Sequence, residues 1–474
     1  MTYSEKDCAL RSLLLIFICF FGLSGCVNYY GMRQQSVALN EASLARPVTY
    51  HLPVKKIVAQ GWWGKFHDSQ LNQLMDIALA DSPTMQTAQS RVRKAQQVTD
   101  ESIATLWPSI DASGSLQRER FSKFGLAPPP FNGKTFNIAE VGLNLNYEFD
   151  IWGKNRQLIA TNVSEECAAE ADLAQAKLIL SAAVAATYFQ LQHDIEQWHI
   201  AREIQHHQQE IYNIVQKRAQ HGVDSDIPLT VAQSNLEAAR IVAAQWEANK
   251  KLTGDQLAVL IGKNPMTTSI DTSRYSYTAH QVHLPAYLPA NILAQRPDIH
   301  ASLLRAEAAA HQVNAAKARF YPNFNLNILF SYQSLVTGQL FNPQSQNNAI
   351  GGAFDLPIFD AGARRANLGG KYAEYDLAVN DYNQSVLTAL REVADQVANL
   401  KALRSQLRAQ QFSYLATQQK YHLMSSQYHH GIVEYTQVLN SKNGFLQQHA
   451  AQVDLQTKHL QTVVAMIKAL GGKE

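Results

Sequence analysis

Cys26 is the residue whose chemistry the sequence predicts most directly. It follows the apolar run LLLIFICFFGL at residues 13–23, which Lys6 and Arg11 precede. Eleven apolar residues make about 16 Å of helix, too short for a hydrocarbon core of about 30 Å, so residues 1–25 are typical of a signal peptide. The run ends in LSGC, the pattern of a bacterial lipobox, in which cleavage leaves a cysteine that carries diacylglycerol and an acylated amine. The alternative is an ordinary secretory signal with an incidental cysteine.

Little else in the sequence could do covalent chemistry. Cys8 and Cys19 lie in the signal peptide, which leaves Cys167 as the other cysteine of the mature chain, so we expect neither a disulfide framework nor a metal site. The sequence contains no P-loop, HExxH or G-x-S-x-G motif, so an enzyme is the least favoured class. The formal net charge of +2 gives no sign of a nucleic-acid-binding face. We expect no cofactor beyond the lipid on Cys26.

An internal duplication organises the rest of the chain. An offset of 214 residues pairs LADSPT (79–84) with LAQRPD (293–298). The alignment of the two copies then shifts by five residues, and an offset of 209 pairs Gly222 with Gly431. We predict a first repeat over 70–262 and a second over 291–471, joined by a linker over 263–290 and preceded by a lipidated segment over 26–69. Each repeat begins with a helix-like segment, over 70–106 and 291–320.

Alternating apolar and polar residues predict two strands in each repeat. The clearest are VGLNLNYEF at 141–149 and NFNLNILFSY at 323–332. Period-two alternation gives a strand one apolar and one polar face. The predicted strands are 109–121, 135–149, 323–334 and 348–357. A half-buried sheet in a soluble domain is the alternative for any single strand, but the aromatic-rich faces and the lipid site favour a membrane β-barrel.

Two very long helices follow the strands. Residues 154–221 and 371–430 contain neither glycine nor proline, and these 68 and 60 residues form helices about 100 and 90 Å long. Their apolar residues recur in steps of three and four, as in coiled coils. Each helix ends at a His-Gly-apolar step, at Gly222 and Gly431, where we predict the tip of a helical hairpin. A lone coiled coil is the alternative, but it does not explain the strands.

Four strands cannot span a bilayer alone, because the N–H and C=O groups at their edges would face hydrocarbon unpaired. Eight strands from two chains leave an interior that side chains just fill, whereas twelve leave a conduit. We therefore predict an α+β membrane protein: a homotrimer with a 12-stranded β-barrel, four strands per chain, and twelve long helical segments.

The sequence also resembles the TolC-like outer-membrane factors, and specifically their lipoprotein branch. Besides the lipobox, the matching motifs are WWGKFHDSQL (62–71), RPDI (296–299), FYPNF (320–324), LPIFDAGARRA (356–366) and TALREVADQV (388–397). The resemblance implies a trimeric outer-membrane channel without catalytic residues, in which a long α-helical barrel with a mixed equatorial region continues the β-barrel into the periplasm. By the family's sorting rule, Val27 in place of an aspartate implies anchoring in outer-membrane lipid.

Within this resemblance the hairpin tips are docking and gating sites. Gly222 with Val223, and Gly431 with Ile432, match the positions that dock the periplasmic adaptor; the alternative is a plain helix terminator. Tyr428 matches a gate tyrosine, whereas Gln437 and Asn440 stand where family members carry gate aspartates.

Acidic residues near the tips, and a proline, complete the predicted gate. Pro228 stands where family members usually have an acidic residue. Asp224, Asp226 and Glu434 lie near the tips and could substitute for the gate carboxylates that this chain lacks. An amide ring constricts but attracts cations less, so we expect weak cation selectivity.

Five histidines crowd the helices near the tips: His206, His207, His221, His429 and His430. Exposed helix histidines are usually just solvated, but an unperturbed pKa of about 6.5 also suits pH-dependent docking or opening.

The resemblance implies the passive exit channel of a tripartite efflux pump. Its partners are a periplasmic adaptor and an inner-membrane pump, and its cargo is drugs and other small toxic molecules. A duct for type I protein or peptide secretion and, in another class, a structural coiled-coil lipoprotein are the alternatives. The sequence does not reveal the transported compounds or the class of the pump.

Overall fold

The computed structural model describes residues 31–39, 61–126, 128–268, 270 and 296–472. The predicted signal peptide, Cys26 and most of the 263–290 linker lie outside these residues. The helices of the described chain are α1 (Ser69–Asp81), α2 (Pro83–Ala104), α3 (Lys154–Gln220), α4 (Asp226–Leu260), α5 (Pro297–Ala318), α6 (Ala363–His429) and α7 (Tyr435–Ala469). The strands are β1 (Ser109–Arg120), β2 (Thr135–Phe149), β3 (Asn323–Ser334) and β4 (Gln346–Asp355).

The four strands form one antiparallel sheet in the order β1-β2-β3-β4. Each half of the chain contributes two strands and then two long helices, so the predicted fold class of four strands and paired long helices per chain is confirmed. β4 begins and ends two residues earlier than predicted. Pro357, which lacks an N–H, follows it closely and ends the pairing.

Two helix boundaries differ from the prediction. The segment expected as one helix over 70–106 breaks at Ser82, whose backbone is extended because Pro83 follows it. The helix expected to begin near residue 371 begins at Ala363 and contains Gly369 and Gly370. Its start is stabilised by Asp360, whose carboxylate accepts hydrogen bonds from the backbone N–H groups of Gly362 and Arg364, both at 3.0 Å.

The chain divides into two compact units, each with its own apolar core. The first unit combines Met1–Ala38, Arg93–Ala168 and Ser302–Tyr382 and contains the sheet. Its core forms around the fully buried Leu368, with Val313 and Ala316 from α5.

The second unit combines Leu39–Val92, Ala169–Ala301 and Asn383–Glu474. Its core joins the 3₁₀ helix Trp62–Phe66 and α1 to α3, α4 and α7. Phe66 and Phe189 are buried there with a ring separation of 5.0 Å. The motif WWGKF therefore has a structural role, because its two tryptophans and Phe66 anchor this core.

Candidate functional site: a two-faced sheet and paired glycine turns

The strand register places apolar residues of all four strands in continuous rows on one face. Ile110 pairs with Leu145, Leu145 with Ile328, and Ile328 with Ile350. The neighbouring row on the opposite face contains Ser109, Asn146, Asn327 and Gly351. The alternation seen in single strands is therefore consistent across the sheet, which has one apolar and one polar face.

The apolar face of the sheet is exposed in the single chain. Ile350 is 76% exposed and Phe330 is 61% exposed, and Ile110, Leu116, Leu143 and Phe354 are exposed beside them. A contiguous apolar surface of this kind marks a site that contacts membrane or protein. None of the helices in the described part of the chain combines the length and apolarity needed to cross a membrane.

Aromatic residues lie where the strands begin and end. At the end of the sheet that connects to the helices they are Trp107 before β1, Trp152 after β2, Tyr321 before β3 and Phe359 after β4. Trp152 stacks on Tyr321 at 4.7 Å between ring centroids and donates its indole N–H to the carbonyl oxygen of Pro322. The opposite end has Phe121, Phe131 and Phe136 in one cluster. Two aromatic bands of this kind flank the apolar belt of membrane β-barrels.

Gly222 and Gly431 end their helices in the same conformation, with φ of +70° and +71°. The N–H of Val223 donates to the carbonyl of Arg218, and the N–H of Ile432 donates to that of Gln427, both at 2.9 Å. This six-residue closure is a Schellman motif, which requires a left-handed residue and so selects glycine.

The apolar residue after each glycine points into solvent. Val223 is 67% exposed and Ile432 is 70% exposed. The duplication has therefore preserved two matching turns, each with an exposed apolar residue at its tip.

The predicted gate residues lie beside the two turns. Tyr428 lies 5.2 Å from Tyr435 between ring centroids. Gln437 and Asn440 are exposed three residues apart, on one face of α7. Asp226 is the first residue of α4, where a carboxylate interacts favourably with the helix dipole.

Glu434 is engaged in an ion pair that the sequence did not indicate. Arg218 donates from Nη1 to Oε1 of Glu434 at 2.8 Å, and its Nε contacts Oδ2 of Asp224 at 2.8 Å. The hydrogen bond from Arg218 holds the pKa of Glu434 below its ordinary value, and the two carboxylates raise the pKa of Arg218. Two of the acids expected near the gate thus share one arginine, and the three side chains together have a net charge of −1.

Sequence reasoning also missed a charged network between α3, α4 and α7. His193 contacts Oδ1 of Asp194 through Nδ1 at 2.8 Å and Oδ1 of Asp454 through Nε2 at 2.6 Å. Thr253 donates to the other oxygen of Asp194 at 2.6 Å. Burial lowers the pKa of His193, but the two carboxylates outweigh burial and raise it to about 9. No sequence signal marked this histidine, because its partner on α7 is 261 residues away.

The tip histidines do not share one environment. His206, His221, His429 and His430 are exposed, whereas His207 is buried and its Nδ1 lies 2.8 Å from Oδ1 of Asn443. His207 falls on the apolar face of α3, in step with Ile200, Ile204 and Ile211. In the described part of the chain no cluster of His, Cys, Asp and Glu could hold a metal ion.

Comparison with known proteins decides the family. The sequence profile described as "Outer membrane efflux protein" matches residues 74–263 and 288–472, one match for each half of the duplication. The chain belongs to the outer membrane efflux protein family.

Relatives in this family align along nearly their whole length. The multidrug resistance outer membrane protein MdtP of Escherichia coli (strain K12) is 28% identical over 463 residues, which cover 95% of this chain and 94% of MdtP. The outer membrane protein VceC of Vibrio cholerae is 28% identical with a TM-score of 0.76, covering 88% of this chain and 99% of VceC. The outer-membrane channel OprN shares the fold, with a TM-score of 0.79 over 94% of this chain and 99% of its own at 24% identity. The chain thus has the TolC-like fold of this family of non-enzymatic outer-membrane channels.

Proposed function

We propose that three copies of this efflux protein close a 12-stranded barrel in the outer membrane and form the passive exit channel of a tripartite multidrug efflux pump. The sheet carries this proposal. β1 and β4 are the edge strands of the sheet within one chain, and the apolar face of that sheet is exposed to solvent in the single chain. Only pairing between copies satisfies both edges in a membrane, and three copies leave a water-filled lumen lined by the polar face.

The proposed cargo is drugs and other small toxic compounds. MdtP carries the description "multidrug resistance outer membrane protein", and it aligns with 95% of this chain. Asparagines and serines such as Ser109, Asn146 and Asn327 give the polar face neutral hydrogen-bonding groups, which suit passage of varied solutes better than tight binding.

The proposed channel is tested on the purified full-length protein. We expect a native mass of three chains and stable conductance in planar bilayers. We also expect that the gene restores drug resistance to a bacterium that retains a matching adaptor and pump but lacks its own outer-membrane channel. A protein that inserts as a single chain, or that binds membranes without conducting ions, contradicts the proposal and supports the structural-lipoprotein alternative.

We propose further that the two glycine turns dock the periplasmic adaptor. Val223 and Ile432 are exposed apolar residues on rigid turns, and apolar residues of this kind are common interaction anchors. The test replaces both with aspartate and measures adaptor binding to the purified channel. We expect binding to be lost, whereas Val223→Ile with Ile432→Val keeps it. Equal binding by both variants contradicts the proposal.

Three exposed histidines lie beside these turns: His221, His429 and His430. We therefore still predict that docking of the adaptor depends on pH. Adaptor affinity measured between about pH 5.5 and 7.5, around the ordinary histidine pKa, tests it. A flat profile contradicts it.

We also propose that the chain carries a signal peptide over 1–25 and a lipid on Cys26. The described segment nearest to that cysteine lies against α6, where the N–H of Ser36 donates to Oδ1 of Asp376 at 2.8 Å. Five residue steps separate Gly31 from Cys26 and span at most about 18 Å.

Metabolic labelling with palmitate tests the anchor. We expect labelling of the protein and its loss in Cys26→Ser. Absence of labelling in the wild type supports the ordinary secretory signal.

A further inference from the structure

A recess of about 440 Å³ opens between three helices near the turns. Its floor is α3, with Gln197 and Ile204, and its walls are α4 and α7. Val242 and Trp246 project from α4, and Gln447 projects from α7. This volume is within the range of small-molecule sites, about 300–1,000 Å³.

The recess borders the same face of α7 as the proposed constriction. The residues of α7 at steps of three and four from Gln437 are Asn440, Gly444, Gln447, Ala451 and Asp454, and all of them remain at least partly exposed. Another flank of α7 contacts α6, where Gln410 donates to Gln448. Gln447 is ten residues along α7 from Gln437, or about 15 Å. If Gln437 and Asn440 line the lumen of the proposed channel, as their match to gate positions implies, the recess also opens into the lumen.

The lining is aromatic and amide-rich. Gln208, Asn235 and Gln447 line the recess, and their side-chain amides form no hydrogen bond within the described chain. Each amide offers donors and an acceptor. Trp246 adds a flat aromatic surface on which a planar molecule can stack. Lysine, arginine and carboxylate side chains are not among the lining residues of the described chain.

The charged network that contacts the recess at Gln197 and Trp246 favours cations over anions. Gln197 donates from Nε2 to Oδ1 of Asp454 at 2.8 Å, and the ring of His193 lies 5.5 Å from that of Trp246. Protonated His193 with Asp194 and Asp454 makes one positive and two negative charges, a net charge of −1 behind the recess. A cation stacked on Trp246 gains from this charge and from the aromatic face, whereas an anion is repelled.

We propose that this recess is a transient binding site for flat, amphipathic compounds that are neutral or cationic and rest against Trp246 during passage. The inference depends on the proposed function, because the recess lies in the path of transported compounds only if the Gln437 face lines the lumen. Binding is weak, because a conduit must release what it binds. The site therefore favours flat, neutral or cationic compounds as a class and does not discriminate among them.

Ethidium, a planar aromatic cation, is the probe. Its fluorescence anisotropy is titrated with the purified full-length channel, and its block of conductance is recorded in planar bilayers. We expect saturable binding and concentration-dependent block. Trp246→Ala raises the half-saturating concentration about tenfold, as loss of an aromatic contact of about 1.4 kcal/mol predicts. Trp246→Phe keeps most of the affinity, and the anion 1-anilinonaphthalene-8-sulfonate binds more weakly than ethidium.

Phe412→Ala is the matched control, because Phe412 is an exposed aromatic residue on α6 outside the recess. It leaves both readouts unchanged. A channel that conducts normally but whose ethidium binding and block are the same in Trp246→Ala overturns this inference and leaves the proposed function intact. A protein that does not conduct contradicts the proposed function instead. Anisotropy that changes with Trp246→Ala while the block does not places the recess outside the lumen and also overturns the inference.

Discussion

Arg218 of the first glycine turn is hydrogen-bonded to Glu434 of the second at 2.8 Å, so one side chain joins the two hairpin tips of a single chain. The duplication did not repeat this link. At the offset of 209 residues, the position equivalent to Arg218 is Gln427 and the position equivalent to Glu434 is Ser225. In the proposed trimer, the two hairpin tips of one chain are therefore joined by the Arg218–Glu434 ion pair. Neighbouring tips of different chains lack the equivalent pair.

Glu434→Gln is expected to loosen the two tips of each chain and raise the fraction of open channels. The matched control is Asp224→Asn, because Asp224 also binds Arg218 but belongs to the same turn. Single-channel recording of both variants, at low and high salt, measures the effect. Glu434 is exposed and Arg218 is partly exposed, so high salt screens the pair and brings the wild type closer to Glu434→Gln. A control variant that opens the channel as much as Glu434→Gln contradicts the link between tips.

The same ion pair predicts a flat pH response around neutrality. The pKa of Glu434 is held below its ordinary value, so the pair is complete at neutral pH and weakens only as pH falls through that lowered value. Opening of the wild type at pH 5.5 without opening at pH 7.5 cannot come from Glu434. Such a result points to the exposed histidines.

Gly142→Ala is expected to prevent assembly of the sheet. A Cβ at Gly142 would lie 2.6 Å from Cβ of Ser331 and 2.8 Å from the carbonyl oxygen of Phe330, so β2 and β3 could not keep their spacing. Gly351→Ala is the control, since a Cβ there has no atom of the same chain within 4 Å. The yield of assembled trimer in outer-membrane fractions separates the two. Equal yields of trimer from Gly142→Ala and Gly351→Ala contradict the close approach of β2 and β3 at Gly142.

The sequence was sufficient for the fold because its signals are local and repeated. Alternation marked β2 and β3, and the matching Gly222 and Gly431 showed the duplication. The helix starts were harder, because α6 contains Gly369 and Gly370, and their low helix propensity is offset by the Asp360 cap together with the packing of the buried Leu368.

The pairings at the site could not be predicted because they join distant parts of the chain. Arg218 meets Glu434 across 216 residues, and His193 meets Asp454 across 261. Single-sequence patterns show which face of a helix a residue occupies, but not which residue of another helix it contacts. The sequence therefore indicates a free acid at Glu434, whereas in the fold Arg218 pairs with it.

Gln437→Asp with Asn440→Asp is expected to make the channel strongly cation-selective. Both residues are exposed on one face of α7, and Arg218 pairs with the nearby Glu434 and Asp224, so these three side chains of the wild type add a net charge of only −1 per chain. A ring of six carboxylates in the proposed trimer attracts cations and binds trivalent ones. Reversal potentials in a salt gradient measure the change, and Gln447→Asp, ten residues away on the same face, is the control for position. Strong cation selectivity in the wild type contradicts the amide gate.

His193→Gln is expected to destabilise the helices around it by about 2 kcal/mol, less than loss of a fully buried pair because Asp454 is partly exposed. The sign of its pH dependence follows from the pKa of His193, which rises from about 6.5 in the unfolded chain to about 9 in the fold. The stabilisation is complete below about pH 6.5 and is lost as pH rises through about 9. The thermal midpoint of the wild type should therefore fall more steeply between pH 7 and pH 10 than that of His193→Gln. His206→Gln, at an exposed histidine on the same helix, should follow the wild type. Parallel curves for the wild type and His193→Gln would show that the histidine is neutral in the fold.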